Sequence, residues 1–441
     1  MEWFGRANVD FHASATPIKI SEKDGSPRTL LDICQETVPP CQLNPLLFNG
    51  HLQTCWTAAN KEAPPVHYKR QIFEAEHSGY SGSFTVDFFT PEEAKEVDET
   101  LPERTTYFSD EELASGIGSD DTRPMLVVLH GLSGGSHEVY LRHGISPLLE
   151  SGAWEACVVN SRGCAMSKIT TGILYNARAT WDTRQLVRYL RKTFPNRPLF
   201  GLGFSLGACI LTNYLGEEGA NCPLKAAIAC ANPWNLELSS KALKRTFIGH
   251  NLYSRVLGTA MKKLAETHRT EIEKFTDLNM EELTKLTYLY EFDRVVQCAA
   301  WGYPTEDAYY RDASSVDSVL AIRIPYLAIN CTDDPPSHGQ SAKSKRIPMR
   351  FFVVPRLADT WDGLRSAVGG GTANLFVNTL ASPRFYGSLT NCCIQITNFF
   401  NYMAFKADLT KIETDKKDNT RMYHAGAEFD PMRRKMAVPL A

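Results

Sequence analysis

Pro198-Leu-Phe-Gly-Leu-Gly-Phe-Ser-Leu-Gly-Ala-Cys-Ile-Leu-Thr-Asn-Tyr-Leu215 is the stretch that decides the fold of this chain. Its apolar start is typical of a buried strand, and the pattern from Leu206 onward is helical. Between them lies Gly203-Phe-Ser-Leu-Gly207, a Gly-x-Ser-x-Gly pattern at a strand-to-helix turn. Such a turn exposes the serine hydroxyl above the sheet, provided that small residues flank it. We therefore predict that Ser205 is a nucleophile. The alternative is an ordinary strand-to-helix turn in which the glycines only allow close packing.

Two backbone N–H groups near this turn could stabilise negative charge. The N–H of Leu206 begins the predicted helix, where it can face an oxygen that becomes negative during attack. Leu132 is the second candidate, because it follows His130-Gly131 at the end of an apolar run and glycine lets the backbone approach a substrate. We expect His130 and Gly131 to support this loop, with His130 not acting as the general base. The alternative is a plain glycine turn after a strand.

Buried strands alternate with helices along much of the chain. Helical patterns of 10–15 residues separate four apolar runs, at 125–129, 157–160, 199–204 and 226–231. This alternation predicts an α/β fold with a mostly parallel sheet and helices on both faces. From 233 to 319 the alternation stops and the pattern is helical, which predicts a cap over the carboxyl ends of the strands, where open sheets bind ligands. The predicted divisions are an N-terminal arm (1–60), a core (61–232 and 320–410), a helical cap (233–319) and a C-terminal tail (411–441).

An acidic residue is expected after the strand that resumes the sheet at 326–329. In chain order, a serine nucleophile at such an elbow is followed by an acid and then by a histidine. Asp334 is favoured because the residue before a proline is pushed into an extended conformation, towards the strand ends. Asp333 is the second choice, and a turn-forming Asp-Asp-Pro is the structural alternative.

The composition of the chain argues against several classes of function. The 441 residues are 43% hydrophobic and carry a net charge of −3, which argues for a large core and against nucleic-acid binding. No apolar run approaches the ~18 residues of a membrane helix, and the N-terminus lacks the apolar region of a secretion signal. The twelve cysteines show no zinc-like spacing. We expect a cytoplasmic, reduced, monomeric protein without a metal or cofactor.

Four ordered motifs give the chain a resemblance to a known family. They are Asn44-Pro-Leu-Leu-Phe-Asn-Gly-His-Leu-Gln-Thr54, His130-Gly-Leu-Ser-Gly-Gly-Ser-His-Glu138, Asn160-Ser-Arg-Gly-Cys164 and Asn330-Cys-Thr-Asp-Asp-Pro335. Together they resemble the fungal medium-chain fatty acid ethyl ester synthase/esterases, which are similar to monoacylglycerol lipase and phospholipase-type α/β-hydrolase-domain proteins.

The resemblance implies an α/β-hydrolase fold and a Ser–Asp–His triad in which Ser205 and Asp334 match. It also implies that acyl esters or acyl thioesters donate the acyl group and that water or an alcohol accepts it. A rival within enzymes is a lipase or phospholipase on glycerolipids, which would need an apolar cap surface in contact with lipid. A rival outside enzymes is a catalytically silent acyl-binding or interaction module.

The chain departs from this family where the triad histidine should stand, in a Gly-Gly-His-Leu-Gly-Trp-Phe type of segment. Leu357-Ala-Asp-Thr-Trp-Asp-Gly-Leu-Arg365 stands there instead. With permitted synonymous codons, an alternative frame of these nine residues reads Gly-Gly-His-Leu-Gly-Trp-Phe-Glu, with the histidine spanning the codons of Asp359 and Thr360. We therefore hypothesise that residues 336–400 are read out of frame.

Two other histidines follow the acid in the chain. His338 lies four residues after Asp334, which is too close for it to contact both the acid and the serine. His424 lies in a polar tail and is expected to be exposed. Neither is a good candidate for the general base, and without a base Ser205 would keep an unactivated hydroxyl. This missing histidine is what makes the silent module a serious rival.

Overall fold

The computed structural model describes residues 8–13, 18–39, 60–93, 98–331, 348–354, 389–410, 428–430 and 435–437, together with Leu52, Thr54, Trp56 and Ala59. Strands in these ranges are β1 Asn8–Ala13, β2 Lys19–Ser21, β3 Pro27–Thr29, β4 His67–Glu74, β5 Ser83–Thr90, β6 Thr105–Tyr107, β7 Met125–Leu129, β8 Glu155–Asn160, β9 Leu199–Phe204, β10 Leu224–Cys230, β11 Tyr326–Cys331, β12 Pro348–Val354, β13 Glu428–Asp430 and β14 Lys435–Ala437.

Helices in the same ranges fall into two groups. Those outside the cap are α1 Leu30–Thr37, α2 Asp110–Ser115, α3 Val139–Leu149, α4 Thr180–Thr193, α5 Leu206–Glu218 and, after the cap, α13 Leu389–Asn401. Those between β10 and β11 are α6 Leu236–Arg245, α7 Arg255–Thr267, α8 Arg269–Phe275, α9 Met280–Lys285, α10 Leu289–Phe292, α11 Cys298–Trp301 and α12 Glu306–Ala313, with a π-helix at Gly249–Ser254 leading into α7.

One large sheet organises the molecule. Its strand order is β1-β12-β11-β10-β9-β7-β8-β5-β4-β6, and the central run from β11 to β8 is parallel throughout. Strands β5 and β12 run antiparallel to their inner neighbours. Every residue of β7 and β9 is buried, as expected for strands covered on both faces.

The alternation of side chains along β7 divides the core into two layers. Leu126 and Val128 pack into the layer that also contains residues of α1, α3 and α13. Val127 and Leu129 point to the other face, into the layer formed with α4 and α5. Helices therefore cover both faces of a mostly parallel sheet, which confirms the predicted fold class.

The helices between β10 and β11 lie over the loops at the carboxyl ends of the central strands. Their apolar side chains pack with Tyr175 and Trp181 in a third cluster. The Tyr309 hydroxyl accepts a hydrogen bond from the Ala177 N–H at 3.0 Å, which ties α12 to the loop before α4. The exact division into arm, core, cap and tail stays a prediction. Within the ranges given above, no helix has the length and apolar character to cross a bilayer.

Candidate active site

Ser205 occupies the sharp turn between β9 and α5. Its φ of 62° and ψ of −121° lie in a region that residues other than glycine rarely adopt. The turn is held on both sides, because the Ser205 N–H donates to the Cys230 carbonyl at 3.0 Å and its carbonyl accepts from the Cys209 N–H at 2.9 Å. Backbone strain of this kind persists only where the surroundings enforce it, and it is common at active sites.

The two glycines of the motif make this turn possible. A Cβ at Gly203 would lie 2.6 Å from the Cα of Ala208, and a Cβ at Gly207 would lie 2.4 Å from the Leu129 carbonyl oxygen. Both clashes are with backbone, which cannot move aside as a side chain can. The first turn of α5 therefore rests directly on the end of β7, which brings Ser205 beside the loop that follows β7.

That loop approaches the serine closely at Gly131. A Cβ there would lie 3.3 Å from the Cβ of Ser205. The loop is fixed by two tyrosines, since the Gly131 N–H donates to the Tyr140 hydroxyl at 2.7 Å and the Ser133 N–H donates to the Tyr175 hydroxyl at 3.3 Å. Leu132, which lies between these two donors, is the residue predicted to supply an oxyanion contact.

The N–H groups of Leu132 and Leu206 both remain available. Across the described ranges, neither N–H donates a hydrogen bond to protein. Both residues line the same cavity as Ser205. An N–H that is left without a protein partner in an apolar cavity is suited to hold an oxygen that gains negative charge. The structure thus places the predicted nucleophile and both predicted donors around one space.

His130 has a structural role at the start of this loop. Its Nε2 accepts from the Ser161 N–H at 3.0 Å, which assigns the proton to Nδ1, and Nδ1 donates to the Gly131 carbonyl at 2.6 Å. Burial lowers the pKa of His130 to about 4, so the ring is neutral at physiological pH. With both nitrogens engaged, His130 links the ends of β7 and β8 and has no nitrogen left to deprotonate Ser205.

A buried ionic network beneath the loop was missed by sequence reasoning. Asp87 on β5 accepts two hydrogen bonds from Arg70 on β4, at 2.6 and 2.8 Å, and both side chains are almost completely buried. The same carboxylate accepts from the Ser136 hydroxyl at 2.5 Å and from Asn160 Nδ2 at 2.8 Å. Ser136 and Asn160 belong to two of the recognised motifs, but their common partner is distant in sequence and only the fold reveals it.

The cavity in front of Ser205 lies between the sheet and the cap. It encloses about 860 Å³ including its open mouth. Its floor is formed by Leu132, Ser205 and Leu206, and its roof comes from the cap. The roof is largely apolar, with side chains that can surround a hydrocarbon chain: Leu236, Leu243, Leu257, Met261 and Leu289.

One part of the roof is polar, and no pattern in the sequence predicts it. Asp293 lines the cavity and accepts from the Tyr310 hydroxyl at 2.7 Å. Burial raises the pKa of Asp293 to about 7. Gln297 Oε1 and Ser239 Oγ also belong to this wall, and both are buried without a hydrogen-bond partner in the described part of the chain. We call Ser239, Asp293, Gln297 and Tyr310 the polar wall.

The remaining predicted triad residues lie outside the described ranges. This applies to Asp334 and its alternative Asp333, to His338 and His424, and to the segment 357–365 that carries the reading-frame hypothesis. Their roles stay predictions. Within the ranges that are described, no group of three His, Cys, Asp or Glu side chains is placed to hold a metal ion.

Comparison with known proteins places this geometry in a family. A family model described as the alpha/beta hydrolase fold matches residues 124–355. The monoacylglycerol lipase of Saccharomyces cerevisiae is 37% identical over 310 residues, covering 66% of this chain and 68% of the relative. Medium-chain fatty acid ethyl ester synthase/esterase 2 of the same yeast is 34% identical over 337 residues, covering 67% of this chain and 74% of the relative.

A phospholipase, ABHD3 of Mus musculus, is 30% identical over 278 residues, covering 63% of this chain and 61% of that protein. These relatives confirm the resemblance that the four motifs predicted. They bear names of lipases, esterases and phospholipases. With a family model over more than half of its length, a mostly parallel sheet and a serine on a strained elbow, this chain belongs to the alpha/beta hydrolase fold family.

Proposed function

We propose that this chain is a serine esterase and acyltransferase that acts on fatty acyl esters or thioesters. The observation that carries the proposal is the position of Ser205, on a strained turn that opens into an apolar cavity. Two N–H groups beside it donate to no residue in the described part of the chain. Its relatives, a monoacylglycerol lipase and an ethyl ester synthase/esterase, are named for chemistry of this class.

In the proposed reaction, Ser205 Oγ attacks the acyl carbonyl carbon and forms a tetrahedral intermediate. The N–H groups of Leu132 and Leu206 hold the resulting oxyanion. A histidine takes the serine proton and returns it to the leaving alcohol or thiol, while Asp334 orients that histidine. The acyl-enzyme is then attacked by water, which gives hydrolysis, or by an alcohol, which gives a new ester. The sequence has no histidine at the expected triad position, so this step rests on the reading-frame hypothesis, which restores a histidine across the codons of Asp359 and Thr360.

The apolar roof supports an acyl chain as the group bound next to Ser205. Leu243, Leu257 and Met261 would surround methylene groups that water would otherwise hydrate. We propose medium-length chains and peripheral contact with a lipid surface, because such substrates partition into lipid. Exclusion of water by the cap would favour transfer to an alcohol over hydrolysis.

Hydrolysis and ester synthesis can be measured on one preparation. The intact chain should release p-nitrophenol from a short acyl p-nitrophenyl ester and should form ethyl ester from the same donor in ethanol. Ser205→Ala should abolish both reactions, whereas Ser109→Ala, at the N-cap of α2, should leave both unchanged. Absence of both reactions in the intact chain would favour the catalytically silent module.

The polar wall favours a second candidate, a lipase acting on monoacylglycerol. A simple alkyl ester leaves Ser239 Oγ and Gln297 Oε1 without partners, and unpaired buried polar atoms are costly. The two free hydroxyls of a monoacylglycerol could donate to Asp293 and Gln297. The wall therefore gives a physical reason to prefer a leaving group that carries hydroxyls.

This second candidate is tested by selectivity. The kcat/KM for a monoacylglycerol divided by that for the ethyl ester of the same acid should fall about tenfold in Gln297→Leu and Asp293→Ala, the cost of one good hydrogen bond. Asp312→Ala is the matched control, because Asp312 also accepts from a tyrosine, Tyr303 at 2.5 Å, but does not line the cavity. An unchanged ratio in the two cavity variants would exclude the glyceryl role of the wall.

A further inference from the structure

One stretch of the cap has an unusual charge pattern. Residues 238–265, which span most of α6, the π-helix and nearly all of α7, contain six Lys or Arg side chains and no Asp or Glu. The chain as a whole has slightly more acidic than basic residues, 50 against 47, so this stretch differs from the rest of the molecule. Several of its cations are exposed. A surface of this sign attracts anions.

Apolar side chains are exposed in the same stretch. Phe247 is 82% exposed, and Ile248, Leu252 and Val256 are all more than two-fifths exposed. The spacing of four residues from Ile248 to Leu252 to Val256 places these three along one side of the continuous π-helix and α7. Single exposed apolar residues are ordinary, but four within ten residues form a patch. We call Phe247, Ile248, Leu252 and Val256 the apolar stripe.

The opposite side of the same helix forms the roof of the cavity. Ser254, Leu257 and Met261 line the space in front of Ser205, and Tyr253 packs with Leu243 in the cap interior. The helix therefore has two apolar sides. One faces the cavity, and the other, which also carries cations, faces solvent. Whatever binds the apolar stripe lies one helix thickness from the acyl site.

The cations around the stripe differ in how they are engaged. Lys241 pairs with Glu237, and Lys244 lies 3.8 Å from Glu306, so these charges are partly compensated. Arg245, Arg255 and Lys263 are exposed, and none of them forms an ion pair with any residue in the described ranges. Arg255 lies three residues from Leu252, and Lys263 lies seven from Val256, which places both on the side of the stripe.

We propose that the apolar stripe and its flanking cations dock the cap on an anionic phospholipid surface. Phe247, Ile248, Leu252 and Val256 would enter the boundary between headgroups and acyl chains, while Arg245, Arg255 and Lys263 would contact lipid phosphates and carboxylates. A protein partner with an acidic, apolar face is the alternative that the test must separate. This inference uses the proposed function only to explain why the docking side lies next to the cavity.

The docking face is tested by sedimentation of the intact chain with vesicles. Binding should be strong to phosphatidylcholine vesicles that contain phosphatidylserine, weak to phosphatidylcholine alone, and reduced by added salt because exposed charges are screened. Phe247→Ser with Leu252→Ser should weaken binding at least about tenfold, since two apolar anchors are lost. Leu113→Ser is the matched control, because Leu113 on α2 is 46% exposed but lies far outside this stretch of sequence.

A second variant guards against a folding artefact. Arg245→Glu with Arg255→Glu alters only exposed side chains and should weaken binding to the anionic vesicles while leaving weak binding to phosphatidylcholine unchanged. Equal binding of the parent and both double variants would overturn the proposal, as would a parent that ignores phosphatidylserine. Sedimentation needs no catalysis, so the result stands even if the chain fails to hydrolyse esters. Hydrolysis of a water-soluble ester should be equal in all these variants.

Discussion

At the scale of the residue, Ser205 can keep a positive φ of 62° because two of its neighbours in the motif have no side chain. Gly203 and Gly207 contribute no Cβ, and the space that a Cβ would need is filled by backbone atoms of α5 and β7. The conformation of the serine is therefore a property of three residues acting together. This explains why the motif specifies glycine two positions before and two positions after the nucleophile.

Alanine at these glycines should be more damaging than alanine elsewhere in β9. Gly207→Ala forces a Cβ within 2.4 Å of a carbonyl oxygen, whereas at Gly201 the nearest atom is a Leu224 methyl at 2.9 Å that can rotate away. We expect Gly207→Ala to cost about 3 kcal/mol or more of unfolding free energy and Gly201→Ala about 1 kcal/mol. Urea unfolding of both variants measures the difference, and equal costs would contradict this account of the elbow.

His130 should make stability depend on pH in the acid range. Burial lowers its pKa to about 4 in the folded chain, while the unfolded chain has an ordinary value of 6.5, so the unfolded state binds more protons between these values. The stability due to neutral His130 is complete above pH 6.5 and is lost as pH falls towards 4. Between pH 7 and pH 5 the loss is about 2 kcal/mol.

His130→Asn provides the measurement, because the asparagine amide can keep the Nδ1 hydrogen bond to the Gly131 carbonyl without titrating. Unfolding free energies at pH 5 and pH 7 should differ less in this variant than in the parent. Asp293, whose pKa burial raises, acts in the opposite direction and loses stability as pH rises towards 7. Because Asp293 is present in both parent and variant, its contribution cancels in the comparison. An equal change in unfolding free energy between pH 5 and pH 7 in both would show that His130 is not neutral in the folded chain.

At the scale of the element, the loop after β7 is held by strands that are remote in sequence. The Arg70–Asp87 pair joins β4 to β5, and Asp87 also binds Ser136 in the loop and Asn160 at the end of β8. The loop after β7 thus rests on a fully buried polar network. A network in which every member is satisfied is rigid, and one that loses a member leaves an unpaired buried charge.

Asp87→Ala should therefore destabilise the fold strongly. Arg70 would keep its charge in the core without a counter-ion, although its hydrogen bond to the Ala165 carbonyl would remain, at a cost of about 3–5 kcal/mol. Lys241→Ala is the control, because this lysine is exposed and solvent screens its ion pair with Glu237, so its removal should change stability little. Thermal unfolding of the two variants should differ accordingly. Similar midpoints for both would show that the network beneath the loop carries little energy.

The elements that sequence predicts best are those with local signals. The apolar runs of β7 and β9 and the Gly-x-Ser-x-Gly turn each carry their information within a few residues. The Arg70–Asp87 network and the polar wall could not be predicted in this way. Their members lie on strands and helices far apart in sequence, and each one alone resembles an ordinary surface residue. The antiparallel pairing of β12 with β11 was likewise not indicated by the alternation of strands and helices.

At the scale of the whole molecule, the site joins three parts of the chain. The elbow and the loop after β7 come from the sheet, the roof comes from the cap, and the acid and base are expected from the segment that follows β11. The elbow and the loop after β7 were predicted with their residues and lie together in the structure, whereas the roof was predicted only as a helical segment over 233–319, without its lining residues. The third depends on a segment whose sequence departs from the family at the histidine, so the reading frame decides whether the triad is complete.

The reading-frame hypothesis makes a prediction about codons. For an alternative frame to yield histidine, the codon of Asp359 must be GAC, since GAU would give tyrosine. The preceding Gly in that frame requires GCG for Ala358. Sequencing of the transcript across codons 330–405 measures both. A GAU codon at position 359 would reject the hypothesis, and the general base would then have to be sought elsewhere in the chain.

The central claim is that Ser205 is an activated nucleophile, and covalent labelling tests it most directly. The intact chain should react with a fluorophosphonate probe, and mass spectrometry should find one adduct, on the peptide that contains Ser205. Labelling should vanish in Ser205→Ala and persist in Ser109→Ala. A folded chain that takes up no probe, or one whose labelling survives Ser205→Ala, would contradict the account.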